Sequence, residues 1–182
     1  LKLFKSGFRA EINFNENKKI NLIEGALQSK ILNTNIKFNF DYDGKIFNIY
    51  NYFLRSKNLS FKNESTIVLT PFLDIHSKFY VLDFDLKKFR NLNLKKIFEF
   101  KEFFKKINIK NEIYFESKKF NRTPIDTLNL EIDLAYGRMT YKKKFSILDS
   151  FFNCKGNINL LEENPILFFD CFGDLDRKQR IF

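Results

Sequence analysis

The chain has 182 residues, of which 44% are hydrophobic and 18% aromatic, and this apolar content argues against intrinsic disorder. The net charge of +10 comes from lysines spread between apolar residues, in a sequence rich in Asn and Phe. That bias is typical of an AT-rich genome and argues against a specific nucleic-acid site. No apolar run approaches the roughly 20 residues that a membrane-spanning helix needs.

The two ends of the chain favour a segment of a longer protein. The sequence begins at Leu1 without an initiator Met and ends at Phe182 directly after a charged run. We therefore expect any signal peptide or membrane anchor to lie upstream of Leu1. Residues 1–182 are expected to form a single unit.

Alternating apolar and polar residues predict the first hairpin. Residues 8–14 and 19–24 both place apolar side chains at every second position, with a turn at residues 15–17 between them. The less regular residues 26–31 favour a short helical turn. The alternation therefore predicts strands on either side of one non-strand interruption.

A second hairpin follows directly. Residues 36–42 alternate strictly, and the dipeptide Asp43-Gly44 tolerates positive backbone torsions, which makes it a strong hairpin signal. Residues 45–54 are the returning strand. Residues 61–71 and 72–84 predict two more strands, and Pro71 marks the end of the first because it has no N–H for the ladder.

One helix interrupts the strands. Leu94, Ile97, Phe100, Phe104 and Ile107 recur at steps of three and four residues between lysines and glutamates, which predicts an amphipathic helix over residues 93–107. Asn93 is a suitable N-cap residue. This helix either caps the sheet or lies on a membrane surface, and the sequence favours the capping interpretation.

The last third of the chain predicts a four-stranded meander. Residues 109–115 restart the strand pattern, residues 121–123 form a loop, and the meander occupies residues 124–173 with its last turn at residues 162–165. Because the connections are short, we expect roughly ten strands that pair antiparallel throughout. The predicted fold is mostly β, a curled antiparallel meander sheet that forms an open groove, with one amphipathic helix.

Reactive constellations are missing from the sequence. There is no glycine-rich phosphate loop and no Cys-x-x-Cys pair, and the single histidine, His76, has no partners at metal-ligand spacing. The pairs Asp41 with Asp43 and Asp83 with Asp85 share the polar side of their strands, which favours solvated charges over acid–base chemistry. We expect no catalytic residue, no metal and no cofactor, and therefore no enzyme.

The two cysteines leave two alternatives. Cys154 and Cys171 lie on the two arms of the last predicted hairpin, so the strand register decides whether they meet. A cross-strand disulfide in an oxidising compartment is one alternative, and two separately buried thiols are the other.

Three stretches of the chain resemble the AsmA-like proteins of Gram-negative bacteria. They are residues 56–75 (SKNLSFKNESTIVLTPFLDI), the Phe- and Leu-rich helix after Asp85, and residues 125–132 (IDTLNLEI) continuing through 152–165 (FNCKGNINLLEENP). The resemblance implies a periplasmic protein tethered to the inner membrane by an anchor outside this segment. It also implies an apolar groove that carries phospholipid towards the outer membrane and supports envelope integrity.

The resemblance and the alternation both suggest that an apolar sheet face binds phospholipid acyl chains. A sheet with one apolar face must cover it, curl on itself or bind something apolar. The expected groove lining is Ile36, Phe38, Phe40, Ile67, Leu69, Ile113, Phe115, Leu128, Leu130, Ile132 and Leu134. The alternative is a structural or adhesive β-sandwich that buries the same residues. Binding of single-stranded nucleic acid through Lys and Phe is a third, less favoured interpretation.

Overall fold

The computed structural model describes residues 7–15, 22–31, 33–57, 59–85, 101–117 and 124–174. Within them, eleven strands form one sheet, accompanied by one short helix. In chain order the elements are β1 (Gly7–Asn15), β2 (Leu22–Ile31), β3 (Thr34–Tyr42), β4 (Ile46–Arg55), β5 (Leu59–Val68), β6 (Leu73–Phe84), α1 (Lys101–Phe104), β7 (Ile107–Glu116), β8 (Thr127–Ala135), β9 (Arg138–Ile147), β10 (Ser150–Asn159) and β11 (Leu167–Asp174).

Every described strand pairs with its sequence neighbours, so the sheet is a meander from β1 to β11. It does not close, because β1 and β11 pair with no described strand other than β2 and β10. The predicted class, a mostly β, curled and open sheet, is confirmed. The two stacked sheets of the alternative sandwich are not found among the described strands, since all eleven belong to one sheet.

The pair β6 and β7 corrects the expectation of antiparallel pairing throughout. These two strands run parallel, with Leu73 opposite Ile107 and Val81 opposite Phe115. Residues 85–106 connect them, and a connection of this length can return the chain to the end of the sheet at which β6 began. The other neighbouring pairs are antiparallel.

The expected helical turn at residues 26–31 is wrong. These residues belong to β2, in which Gly25 and Ser29 lie on the same face as Leu27. Because glycine and serine are small, they hide the alternation of apolar and polar residues in the sequence. A Cβ on Gly25 would lie 2.5 Å from the Cζ atom of Phe40, so the Phe40 ring covers the glycine from the next strand. The predicted turn at 15–17 and the start of the returning strand fall largely on residues 16–21, outside the described residues.

The predicted helix over 93–107 is described only in part. Residues 86–100, including the expected cap Asn93, lie outside the described residues, and α1 covers Lys101–Phe104. Ile107 is not helical: it is the first residue of β7, opposite Leu73, and is 2% exposed. The predicted loop at 121–123 also lies outside the described residues.

The hydrophobic core lies at one end of the sheet. Its buried members are Ile107, Leu134, Ile158 and Leu160. Phe104 of α1 packs against them, which agrees with the capping interpretation for this part of the helix. The turn after β10 is fixed by a 2.8 Å hydrogen bond from the Leu160 N–H to the Gly137 carbonyl. We call this the capped end of the sheet.

Candidate functional site

The register of the strands places the alternating apolar side chains on one face. Residues directly opposite one another form four successive rungs that cross all eleven strands on this side, which we call the apolar face. On β8 these rungs are at Leu134, Ile132, Leu130 and Leu128. The apolar face therefore follows from the period of two residues in a strand.

Ten of the eleven predicted lining residues lie in strands on the apolar face, where the register places them. These ten are Ile36, Phe38, Phe40, Ile67, Ile113, Phe115, Leu128, Leu130, Ile132 and Leu134. Leu69 lies beyond the end of β5 and is exposed. Its N–H still bonds the Lys45 carbonyl at 3.0 Å, so it extends the ladder past the strand.

Aromatic rings form a continuous track across β3 to β6. Phe38 stacks on Tyr52 with 5.7 Å between ring centroids, and Tyr52 stacks on Phe61 at 5.5 Å. Phe61 meets Phe79 edge to face at 5.5 Å. Offset and edge-to-face contacts of this kind stabilise neighbouring strands beyond the apolar area that they bury. Burial raises the pKa of Tyr52, which keeps its hydroxyl protonated within the track.

The apolar face also contains a polar cluster that the sequence did not reveal. The Asn63 amide donates to the Lys78 carbonyl at 3.1 Å, and the Ser65 hydroxyl donates to the Asn63 side-chain oxygen at 2.8 Å. The Ser65 and Ser77 hydroxyls are 2.7 Å apart. Asn63 and Ser77 are buried, so these bonds offset the loss of water. Asn63 and Ser65 are separated from Phe61 and Ile67 by an even number of positions, and Ser77 is two positions from Phe79. This even spacing is the sequence signal that places the polar cluster on the apolar face.

Lys143 is a second residue of the apolar face that alternation alone did not single out. It lies between Leu130 on β8 and Cys154 on β10. In the sequence it is the middle residue of a run of three lysines, a pattern that by itself predicts solvent-exposed charged side chains. Lys143 is two positions from both Tyr141 and Phe145 and therefore shares their face. Lys142 and Lys144 face the other side.

Cys154 and Cys171 form a disulfide, which decides between the two alternatives left open by the sequence. They are direct partners in the β10–β11 register, with Cα atoms 4.0 Å apart. The bond therefore ties the last described strand to the sheet at a point on the apolar face. Disulfides persist mainly in oxidising compartments.

A large cavity lies on the opposite face. It has a volume of about 890 Å³, and its side-chain lining includes Tyr80, Tyr114, Lys144, Phe151 and Phe172. Tyr80 and Tyr114 stack at 5.4 Å. The rungs of the apolar face contribute only one row to this lining, so the cavity is not the predicted groove.

Tyr114 in this cavity donates a short hydrogen bond to Glu112. That bond, followed by partial desolvation and the charge of Glu112, raises the pKa of Tyr114 to about 12. The phenol therefore stays neutral across the physiological range.

Of the acidic residues that the sequence raised as candidates for chemistry, Asp41 and Asp43 have structural partners. Asp43 accepts hydrogen bonds from the backbone N–H groups of Ile46 at 2.7 Å and Lys45 at 2.9 Å, and these bonds lower its pKa. Asp41 accepts from the Asn48 amide at 2.8 Å. His76 lies 3.1 Å from Asp74 on the exposed polar face. Among the described residues no cluster of three His, Cys, Asp or Glu side chains is arranged to hold a metal ion.

No protein-family model matches the chain, and no curated protein or solved structure is similar to it. In the part of the chain that the structure describes, no helix has both the length and the apolar character needed to cross a bilayer.

Proposed function

We propose that this chain is a lipid-binding segment of an AsmA-like groove, in which the apolar face holds phospholipid acyl chains. The observation that carries the proposal is that, among the described strands, no second sheet lies against that face. Eleven strands present four rungs of mainly apolar side chains, and α1 packs against them only at the capped end. Within these rungs the apolar side chains of the inner strands are half-buried or buried, and those of β1 and β11 are exposed, among them Ile12 and Phe169. Apolar surface that remains accessible marks a site of interaction.

The chemistry of the face suits hydrocarbon. Acyl chains can lie along rows of Leu, Ile and Phe, and each methylene removed from water contributes about 0.8 kcal/mol. The aromatic track from Phe38 to Phe79 offers a flat surface with few polar groups. Such a surface binds chains without fixing their position, which suits transport along a groove.

The surroundings of the face fit the same proposal. The Cys154–Cys171 disulfide suits an oxidising compartment such as the periplasm. Both edge strands are exposed and carry uncovered phenylalanines, among them Phe14 on β1 and Phe172 on β11. Sheet edges that pair with no other described strand can accept further strands, as a longer groove requires. In the proposal, an anchor outside this segment ties the whole protein to the inner membrane.

The test uses protein purified from a membrane-containing host, with native mass spectrometry to detect bound phospholipid. A photoreactive amino acid is placed at Leu130 on the apolar face and, as the matched control, at Glu131, the next residue on the same strand. We expect lipid adducts at position 130 and none at position 131. A third position, Tyr114, reports on the cavity of the opposite face.

Each outcome decides between the candidates. Adducts concentrated at position 114 would move the lipid to the cavity and end the proposal for the apolar face. If no lipid copurifies and a fluorescent fatty acid is not taken up, the structural or adhesive alternative holds instead. Leu130→Asp should abolish uptake, whereas Asn129→Asp on the same strand adds the same charge to the polar face and should leave it unchanged.

A further inference from the structure

Lys143 is the only charged side chain within the four rungs of the apolar face, as far as the structure describes the strands. Its opposite neighbours are Leu130 and Cys154, and the Cys154–Cys171 disulfide lies beside it. Lys142 and Lys144 are exposed on the other face, whereas Lys143 is half-buried. A cation is therefore held at one defined point of an otherwise uncharged surface.

The ammonium group of Lys143 has no carboxylate partner in the part of the chain that the structure describes. Among the described residues, no Asp or Glu oxygen lies within 4.0 Å of its Nζ atom. The Nζ atom instead lies 4.2 Å from the centroid of the Phe145 ring, which stacks on Phe152 at 4.9 Å. A cation–π contact compensates only part of what an anionic partner supplies.

The ring pair beside Lys143 continues as apolar surface. Phe145 lies opposite Leu128, and Leu128 lies opposite Phe115. An amphiphile whose acidic group meets the Lys143 ammonium can thus lay its hydrocarbon along this rung. The charge and the apolar row together match one molecule with a negative head and an apolar tail.

We propose that Lys143 makes the apolar face selective for phospholipids with a net negative head group. The ammonium pairs with the phosphate, and the acyl chains cover Leu128, Phe145 and Phe152. A zwitterionic lipid carries its own cation next to the phosphate, so it gains less from Lys143. This inference rests on the proposed function, since it names the class of lipid that the same face prefers.

The experiment compares phosphatidylglycerol with phosphatidylcholine of identical acyl chains, offered together in equimolar mixed vesicles, with bound lipid counted by native mass spectrometry. We expect the native chain to favour phosphatidylglycerol by about fivefold, the size of one partly screened ion pair. Lys143→Gln should bind both lipids equally with the total amount of lipid retained. Lys144→Gln, on the same strand but the other face, should keep the preference.

The controls separate this inference from the proposed function. If Lys143→Gln keeps the preference, or if Lys144→Gln loses it equally, the selectivity belongs to overall charge and the inference is overturned. If the native chain takes up both lipids without preference, the inference fails while the proposed function stands. If it takes up neither, both fail. Lys143→Met, which keeps an unbranched apolar side chain, provides a second variant should Lys143→Gln fold poorly.

Discussion

The two halves of the sheet bury different kinds of side chain. Among the described residues, every buried hydrophobic side chain belongs to the C-terminal half, from β7 to β11 and the turn after β10: Ile107, Phe115, Leu134, Cys154, Ile158 and Leu160. In the N-terminal half, β1 to β6, the buried residues that the structure describes are all polar, namely Ser29, Asn63 and Ser77, whereas the C-terminal half buries one polar residue, Ser146. The parallel pair β6–β7 is the boundary between the two halves.

This difference indicates that the C-terminal half contributes mainly to folding stability and the N-terminal half mainly to binding. The C-terminal half has an aliphatic core that α1 and the turn at Leu160 cover. The N-terminal half has half-buried aromatic rings that stack on one another and are available on their outer side. The first arrangement resembles the interior of a folded domain, and the second resembles an interaction surface. The comparison therefore predicts that similar substitutions have unequal effects in the two halves.

The largest effect is expected for Leu134→Ala in the C-terminal half. Leu134 is 5% exposed and packs in the core with Ile107 and Ile158, so truncation leaves a cavity and should cost about 4 kcal/mol of unfolding free energy. Ile67→Ala, on the same rung in the N-terminal half, should cost about 1.5 kcal/mol, because Ile67 is only partly buried. Urea unfolding measures both. Equal losses would contradict the division into a core and a binding surface.

The next effect comes from removing the disulfide. Cys154 and Cys171 are 17 residues apart, and loss of a cross-link over such a loop should cost about 3 kcal/mol. The double variant Cys154→Ala with Cys171→Ala should release β11 locally, because all its residues are exposed and it pairs only with β10 among the described strands. Hydrogen exchange should show lost protection in β10 and β11. Equal loss in β2 to β5 would show that the halves unfold together.

A smaller effect is expected for the polar cluster of the N-terminal half. Asn63→Ala removes the bonds to the Lys78 carbonyl and to Ser65 and should cost about 2 kcal/mol, because buried groups lose their partners. Ser77→Ala removes only the bond between the two serine hydroxyls and keeps the donation from Ser65 to Asn63, so it should cost about 1 kcal/mol. Thermal unfolding compares the two proteins. A Ser77→Ala variant as unstable as Asn63→Ala would show that the bond between the serines matters more than the bonds of Asn63.

Alternation predicted most of the fold because the apolar face has a strict period of two. It identified β3 and β8, where large apolar residues occupy every inward position. It missed most of β2, because Gly25 has no side chain and the ring of Phe40 from the next strand covers its position. A local sequence pattern does not contain this contact between strands. It missed the parallel pair β6–β7 because strand direction depends on the path of a long connection.

The candidate site was predictable only in its apolar part. Leu, Ile and Phe at alternating positions are recognised by residue type. Ser77 and Lys143 are not, and only their even spacing from apolar residues of the same strand assigns them to the apolar face. The β4 strand shows a further limit: its apolar positions shift from Ile49 to Tyr52, since a bulge with Asn51 at a φ of 53° absorbs one residue. In β4, register across strands, and not alternation along the chain, decides which residues face the apolar side.

The smallest predicted effect is a pH dependence at the boundary between the halves. Tyr114 of β7 stacks on Tyr80 of β6, and its hydrogen bond to Glu112 raises its pKa from 10 to about 12. The protonated phenol is the stabilised form, so this contribution is complete below about pH 10 and is lost as pH rises through about 12. Ultraviolet absorbance of tyrosinate should show a late step that Tyr114→Phe removes. Glu112→Gln should return that step towards pH 10, whereas Glu131→Gln, which removes a weaker contribution, should shift it less. A titration unchanged by Glu112→Gln would show that the bond does not persist in solution and that the boundary is more open than the stacked rings indicate.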